Sequence, residues 1–245
     1  MTRNIRLTIE YDGTDFSGWQ RLRRRPSVQE EIERAIRAVT RESVHLIGAG
    51  RTDAGVHALG QVANFRTASR LPVERIPPAL NHHLPPTIRI LEAAEVDLAF
   101  HARYSALGRT YRYAVLNRPA PSAILRNHAH HVPQPLALDA LAEALPALQG
   151  RHAFTSFRAT GSRERSTVCT LRRAEVVRSG DIVIFTFEAD RFLRHMVRLM
   201  VGTLLRVGTG KLPPQAVAEI LAAEDNARAG PRAPARGLFL VRVDY

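Results

Sequence analysis

The residues with the clearest capacity for chemistry lie in one stretch, GAGRTDAGVHALGQ at 48–61, where a single carboxylate, Asp53, stands between Arg51 and His57. A carboxylate carried on a turn between two strands, and left open to a ligand, is a candidate nucleophile. Aspartate before a glycine turn also bonds nearby backbone, so the same residue fits a plain turn. Glycines at 48, 50, 55 and 60 permit backbone angles and close approaches that other residues resist. They do not build a phosphate loop: no Gly-Lys followed by Ser or Thr stands at the required spacing, and Asp53 occupies the place where GxGxxG needs its third glycine. GTGKL at 208–212 fails as well, because Leu212 replaces the required hydroxyl residue.

Three other groups could act beside such a carboxylate. YDGTDFSGWQ at 11–20 places aromatic residues next to Arg21, Arg23, Arg24 and Arg25, which suits looped or single-stranded RNA as well as a solvated surface loop. Tyr111 and Tyr113 share one face of the alternating segment RTYRYAVLN, where they fit either packing of a cleft wall or contact with a substrate. Arg191, Arg194, His195 and Arg198 fall on one stripe, at spacings of three and four, of a helix predicted over 192–207. That helix is apolar almost all round and is expected to be buried. Buried arginine is rare without a partner. Arg198, deepest in the apolar run, is therefore expected to have a carboxylate partner, and Arg191 and Arg194 to lie in water or on phosphate. Gly202 continues the stripe and would let another backbone come close.

The elements that must hold these residues read as two similar halves. In the first, Ile5, Leu7 and Ile9 alternate as in a half-buried strand. Ser27 and Glu30 form an S-x-x-E capping box ahead of a helix carrying Val28, Ile32, Ala35, Ile36 and Val39. Strands at about 44–49 and 60–67 flank the glycine loop, and a shorter helix near 73–83 and a strand at 88–96 follow. In the second, a strand at 110–117 precedes a helix at 136–149 that Pro146 interrupts late. Strands near 168–178 and 181–189 come next, joined by a turn at Ser179-Gly180. The apolar helix, a short helix at 214–223 and a last strand at 237–245 complete the order. The expected class is α+β: two ferredoxin-like βαββαβ units joined into an extended, mainly antiparallel mixed sheet with a central basic cleft. The expected division runs 1–104, with the Asp53 loop, and 105–245, with Tyr111 and the arginine helix.

The net charge of +12 favours a polyanionic partner. Of 35 basic residues only Lys211 is lysine, a compositional bias, so the charge excess is read and the arginine identity is not. One cysteine, Cys169, excludes an internal disulfide and a cysteine-rich zinc cluster. MVRLMVGTLL at 196–205 is too short to span a bilayer and carries Arg198. The N-terminal segment lacks the apolar core of a signal peptide, and a cytoplasmic protein is expected.

YDGTDFSGWQ, GRTDAGVHALGQVANF, RTYRY, HMVRLMVG and GLFLVRVDY, in this order over residues 5–245, resemble the tRNA pseudouridine synthase A family. The resemblance implies isomerisation of uridines at tRNA positions 38, 39 and 40, in the anticodon stem-loop, by a homodimer that grips one tRNA. It makes Asp53 the catalytic carboxylate and Arg198 the basic residue paired with it. Tyr111 becomes the aromatic that stacks on the target uracil and serves in proton transfer. Arg51 enters the RNA in place of the displaced base, and Leu238 lines the base pocket. No cofactor and no metal is called for, since no electrons, phosphate or acyl group are transferred. Two other classes compete. A non-catalytic module of tandem RNA-recognition units would need an RNP1-like strand, which is absent. A metal-dependent hydrolase would have to use His128, His130 and His131, which lead into Pro133 and Pro135 with no local acidic partner.

Overall fold

The computed structural model describes residues 2–162 and 166–245. The strands among them are β1 (Arg3–Tyr11), β2 (Ile47–Gly48), β3 (His57–Thr67), β4 (Ile88–Val96), β5 (Gly108–Leu116), β6 (His130–His131), β7 (Gly150–Ala153), β8 (Val168–Ser179), β9 (Ile182–Ala189) and β10 (Leu238–Asp244). The helices are α1 (Val28–Thr40), α2 (Ile76–His83), α3 (Leu138–Ala144), α4 (Met196–Gly208) and α5 (Ala216–Ala223). The class is α+β as expected: β1 pairs antiparallel with β3 and β4, as do β2 with β3, β5 with β9, β7 with β8 and β8 with β9, whereas β10 with β3 and β5 with β6 are parallel. None of the described helices is long and apolar enough to cross a membrane. Contacts divide the chain into two compact units, Met1–Leu107 with Phe239–Tyr245, and Gly108–Leu238. The last strand, which the sequence reading places at the end of the second half, thus belongs by its contacts with the first.

In the first unit β1 is central, with β3 on one side and β4 on the other. Its alternating Ile5, Leu7 and Ile9 are fully buried, each contributing about 2 kcal/mol through burial. Val28, Ile32, Ala35 and Ile36 form the buried stripe of α1, which packs against α2 and its buried Ile76 and Leu80. The β2 strand is only two residues long, and β3 begins at His57, so the loop carrying Asp53 spans 49–56. The terminal strand adds to this unit by pairing Phe239 with His57 and Leu240 with Ala58 in parallel.

Helix α1 starts where predicted, but Ser27 does not cap it through its side chain. Its Oγ is buried and makes no hydrogen bond among the described residues. The first two helical N–H groups already have other acceptors: Val28 N–H donates to the Gly18 carbonyl at 3.3 Å and Gln29 N–H to the Trp19 carbonyl at 3.0 Å. An N-cap hydroxyl accepts from the second or third helical N–H, and here the neighbouring loop has taken the second.

In the second unit β9 lies between β5 and β8, and β7 pairs with the far edge of β8. The hairpin turns at Gly180-Asp181, since Ser179 pairs with Ile182 and Gly180 takes φ 57°. Tyr113, Phe154, Phe157, Phe185 and Phe187 are fully buried. The helix α3 gives way at Pro146 to a 3-10 turn, Leu145–Leu148. The short strands β6 and β7 were not anticipated, because segments of two and four residues show no usable alternation.

One expectation fails clearly. The helix begins at Met196, not at 192, and His195 before it has a left-handed backbone with φ 64°. Arg191, Arg194 and His195 therefore share no helical stripe with Arg198. Arg191 is drawn away to the strand side, where its guanidinium donates to the carbonyls of Val168 at 3.1 Å and Ser166 at 2.5 Å. Side-chain spacings of three and four residues could not reveal that competing pair of acceptors.

Candidate active site

Asp53 is half-buried in a turn that Val56 N–H closes on the Asp53 carbonyl at 3.2 Å. A second loop, residues 12–19, holds this turn in place. Trp19 N–H donates to the Thr52 carbonyl at 3.1 Å, and Gly55 N–H donates to the Phe16 carbonyl at 3.3 Å. The hydroxyls of Tyr11 and Thr52, both on buried residues, are 2.7 Å apart. Gly18 has φ 103°, and a Cβ there would stand 2.6 Å from the Thr52 carbonyl oxygen and 3.1 Å from the Asp53 carbonyl carbon. Only glycine fits this contact. Because the same loop accepts the first N–H groups of α1, the backbone of Asp53 is registered to a helix as well as to the strands either side. A short loop tied this way holds its side chain in one place and leaves it accessible.

Arg51, two residues before Asp53, is exposed. His57 is not part of the loop: it is the first residue of β3, nearly fully buried, and its ring stacks on Phe239 with centroids 4.7 Å apart. Gly13 N–H donates to its Nδ1 at 3.0 Å, so His57 ties the start of the 12–19 loop to the sheet.

The remaining predicted residues lie in the second unit. Tyr111 is half-buried on β5, opposite Phe187 of β9, and meets the ring of Phe192 edge-on at 5.0 Å and 81°. An edge-on partner fixes a ring's plane while leaving a face for another aromatic. Tyr113, read from the sequence as its companion on a shared face, is fully buried, and its hydroxyl donates to the Pro234 carbonyl at 2.8 Å. Burial raises the Tyr113 pKa, against the opposing charges of Arg198 and Arg236.

Arg198 is buried on α4, as expected. Its Nε donates to the Ala233 carbonyl at 2.7 Å, while Ala233 N–H donates to the Arg198 carbonyl at 3.0 Å. Leu238, buried, opens β10 at the end of the segment that Ala233 belongs to. Within this unit the structure thus links Arg198 to the stretch leading to Leu238; Asp53 and Arg51 share one loop of the other unit. His130, in β6, has its pKa lowered to about 4, first by burial and then by Arg236 and His131. The sequence reading missed the Tyr11–Thr52 bond, the Phe192 contact and the Ala233 lock. Only the Gly-Trp pair of FSGWQ and the aromatic just ahead of the helix hinted at the first two.

Residues 7–105 and 144–245 match the family described as tRNA pseudouridine synthase. The tRNA pseudouridine synthase A of Acetivibrio thermocellus is 47% identical over 243 residues, covering 99% of this chain and 100% of that protein. The protein of the same name from Moorella thermoacetica is also 47% identical over 243 residues, covering 98% of this chain and 99% of its own. The tRNA pseudouridine synthase A 2 of Clostridium tetani is 44% identical over 247 residues and is covered in full, as is this chain. Asp53, Arg51, Arg198 and Leu238 fall within the segments matched by the family; Tyr111 falls between them, in a part spanned by the relatives. The chain belongs to the tRNA pseudouridine synthase family.

Proposed function

We propose that this protein isomerises uridine to pseudouridine at positions 38, 39 and 40 in the anticodon stem-loop of tRNAs, with Asp53 as its nucleophile. The observation that carries the reading is the Asp53 turn, a half-exposed carboxylate whose backbone is tied to a second loop by two hydrogen bonds and a Gly18 contact. In the reaction the bond from uracil N1 to ribose C1′ breaks, the base turns, C5 bonds to C1′, the C5 proton leaves and N1 gains a proton in its place. The carboxylate that attacked, at C1′ or at C6, is released at the end. The balance needs no electrons and no second substrate.

A stacked base is out of reach, so the target nucleotide flips out, at a cost of a few kcal/mol. Arg51, exposed beside the nucleophile, takes the vacated place in the RNA. Tyr111, its ring plane set by Phe192, stacks on the extruded uracil and serves in proton transfer. Arg198 pairs with the Asp53 carboxylate, and Leu238 lines the base pocket. The charge of +12 draws in the phosphate backbone along a basic cleft. The enzyme works in the cytoplasm as a homodimer on one tRNA.

Tritium release from tRNA labelled at uridine C5 tests the reading. The purified protein should release tritium, and Asp53→Asn should reduce the rate by about 10³-fold or more while tRNA binding stays within about twofold. Normal turnover by Asp53→Asn would refute the assignment. Tight binding with no release by the unaltered protein would favour a non-catalytic RNA-binding module.

A further inference from the structure

Between α5 and β10 the chain crosses back over α4 as an irregular strap, residues 229–237, broken only by a 3-10 turn at Ala235–Gly237. It is unusually closely seated on α4. A Cβ on Gly202 would lie 1.6 Å from the Pro231 carbonyl oxygen, so the two backbones touch with nothing between them. Gly230 N–H donates to the hydroxyl of buried Thr203 at 2.8 Å, and that hydroxyl donates in turn to the Leu199 carbonyl at 3.0 Å. One turn earlier on the helix, Arg198 and Ala233 exchange two hydrogen bonds, at 2.7 and 3.0 Å. The other side of the strap is held by β5. Tyr113 donates to the Pro234 carbonyl at 2.8 Å, and a Cβ on Gly237 would meet the Ala114 carbonyl oxygen at 2.7 Å and the Tyr113 ring at 2.8 Å. Leu238 follows immediately.

The strap is therefore anchored at both ends of a path that runs from the guanidinium of Arg198 to Leu238. Because the Arg198 Nε–H bonds the Ala233 carbonyl, the plane of the guanidinium is set by where the strap lies. A shift of the strap would turn that plane and displace Leu238 together. We propose that Thr203 and Tyr113 are positioning residues for the isomerisation: through Gly230 and Pro234 they place the strap, and the strap aims Arg198 and Leu238. Neither side chain touches the substrate. The inference rests on the reading that Arg198 and Leu238 act at the reacting base.

Thr203→Val keeps the shape and leaves Gly230 N–H without its acceptor; Thr203→Ser restores the acceptor. Tyr113→Phe removes one oxygen and leaves the Pro234 carbonyl unpaired. Misplacing a reacting group by about 1 Å costs about 10²-fold in rate. Isomerisation of tRNA should therefore show kcat reduced by about 10- to 100-fold in Thr203→Val and in Tyr113→Phe, with KM within about twofold and Thr203→Ser within about threefold of the parent. The proposal is overturned if kcat of Tyr113→Phe stays within about threefold of the parent, if the loss appears in KM, or if Thr203→Ser is as impaired as Thr203→Val. Thermal melts accompany each variant, and if Thr203→Val does not fold, Tyr113→Phe decides alone. Arg198→Ala in the same series separates the two ideas: if it turns over normally, the role of Arg198 fails, whereas an inactive Arg198→Ala beside an unimpaired Tyr113→Phe rejects the strap alone.

Discussion

The Asp53 turn and the Arg198 helix hold a charged side chain in opposite ways. Asp53 is positioned through its main chain: loop 12–19 bonds the carbonyl of Thr52 and the N–H of Gly55. Arg198 is positioned through its own side chain, by the Nε bond to Ala233, in the buried face of a helix. For the proposed nucleophile the bonds to loop 12–19 thus fix the backbone on either side of the carboxylate. A guanidinium has several donors and can give one of them to its support. The loop should consequently be most sensitive at residues other than Asp53 that shape its backbone, and the helix site at the side chains and carbonyls around Arg198.

Gly18→Ala makes the sharpest test of the loop half. It imposes a side chain at φ 103° and 2.6 Å from a carbonyl oxygen. We expect a loss of about 2 kcal/mol or more in stability and a fall in kcat of about 10²-fold as Asp53 shifts, read by thermal melts and tritium release. A variant with normal kcat would show that the turn holds its shape without the 12–19 loop. Tyr11→Phe removes one side-chain bond and leaves the backbone bonds in place, so its effect should be smaller. We expect about 1 kcal/mol, or about 2–4 °C in the melting temperature, and kcat within about threefold of the parent. A large kcat loss in Tyr11→Phe would mean that the loop, like the helix, depends on side-chain support.

A test read in stability alone lies in the second unit, at His130. Its folded pKa of about 4 is below the ordinary value of 6.5, so between these values the unfolded chain binds a proton that the folded one does not. Its contribution to stability is complete above pH 6.5 and is lost as pH falls towards 4. Melting temperature measured across this window should fall less with acid in His130→Asn than in the parent. An unchanged slope would show that His130 is not held neutral by its surroundings.

Much of the architecture was legible because it is local. The alternation of Ile5, Leu7 and Ile9, the helical spacing of Val28, Ile32 and Ile36, and the turn at Gly180 each report a period or a backbone angle. The apolar run around Arg198 correctly indicated a buried helix, and Gly202 a close backbone approach. The same method placed the helix start too early and credited Ser27 with a side-chain cap. In both cases a distant partner won: the carbonyls of Val168 and Ser166 for Arg191, and the carbonyls of Gly18 and Trp19 for the first N–H groups of α1.

Residue type and spacing alone singled out Asp53, excluded the phosphate-loop readings and, through five ordered motifs, indicated the family to which the chain belongs. Tertiary structure decided how each candidate is held. The pairing of Thr52 with Tyr11 spans 41 residues, that of Arg198 with Ala233 spans 35, and that of Tyr113 with Pro234 spans 121. No local period encodes such contacts, because each forms only after the intervening chain has closed and paid its loop entropy. The final strand is the same case: its alternation marks it as a strand, but its parallel register beside His57 and Ala58 exists only in the folded sheet.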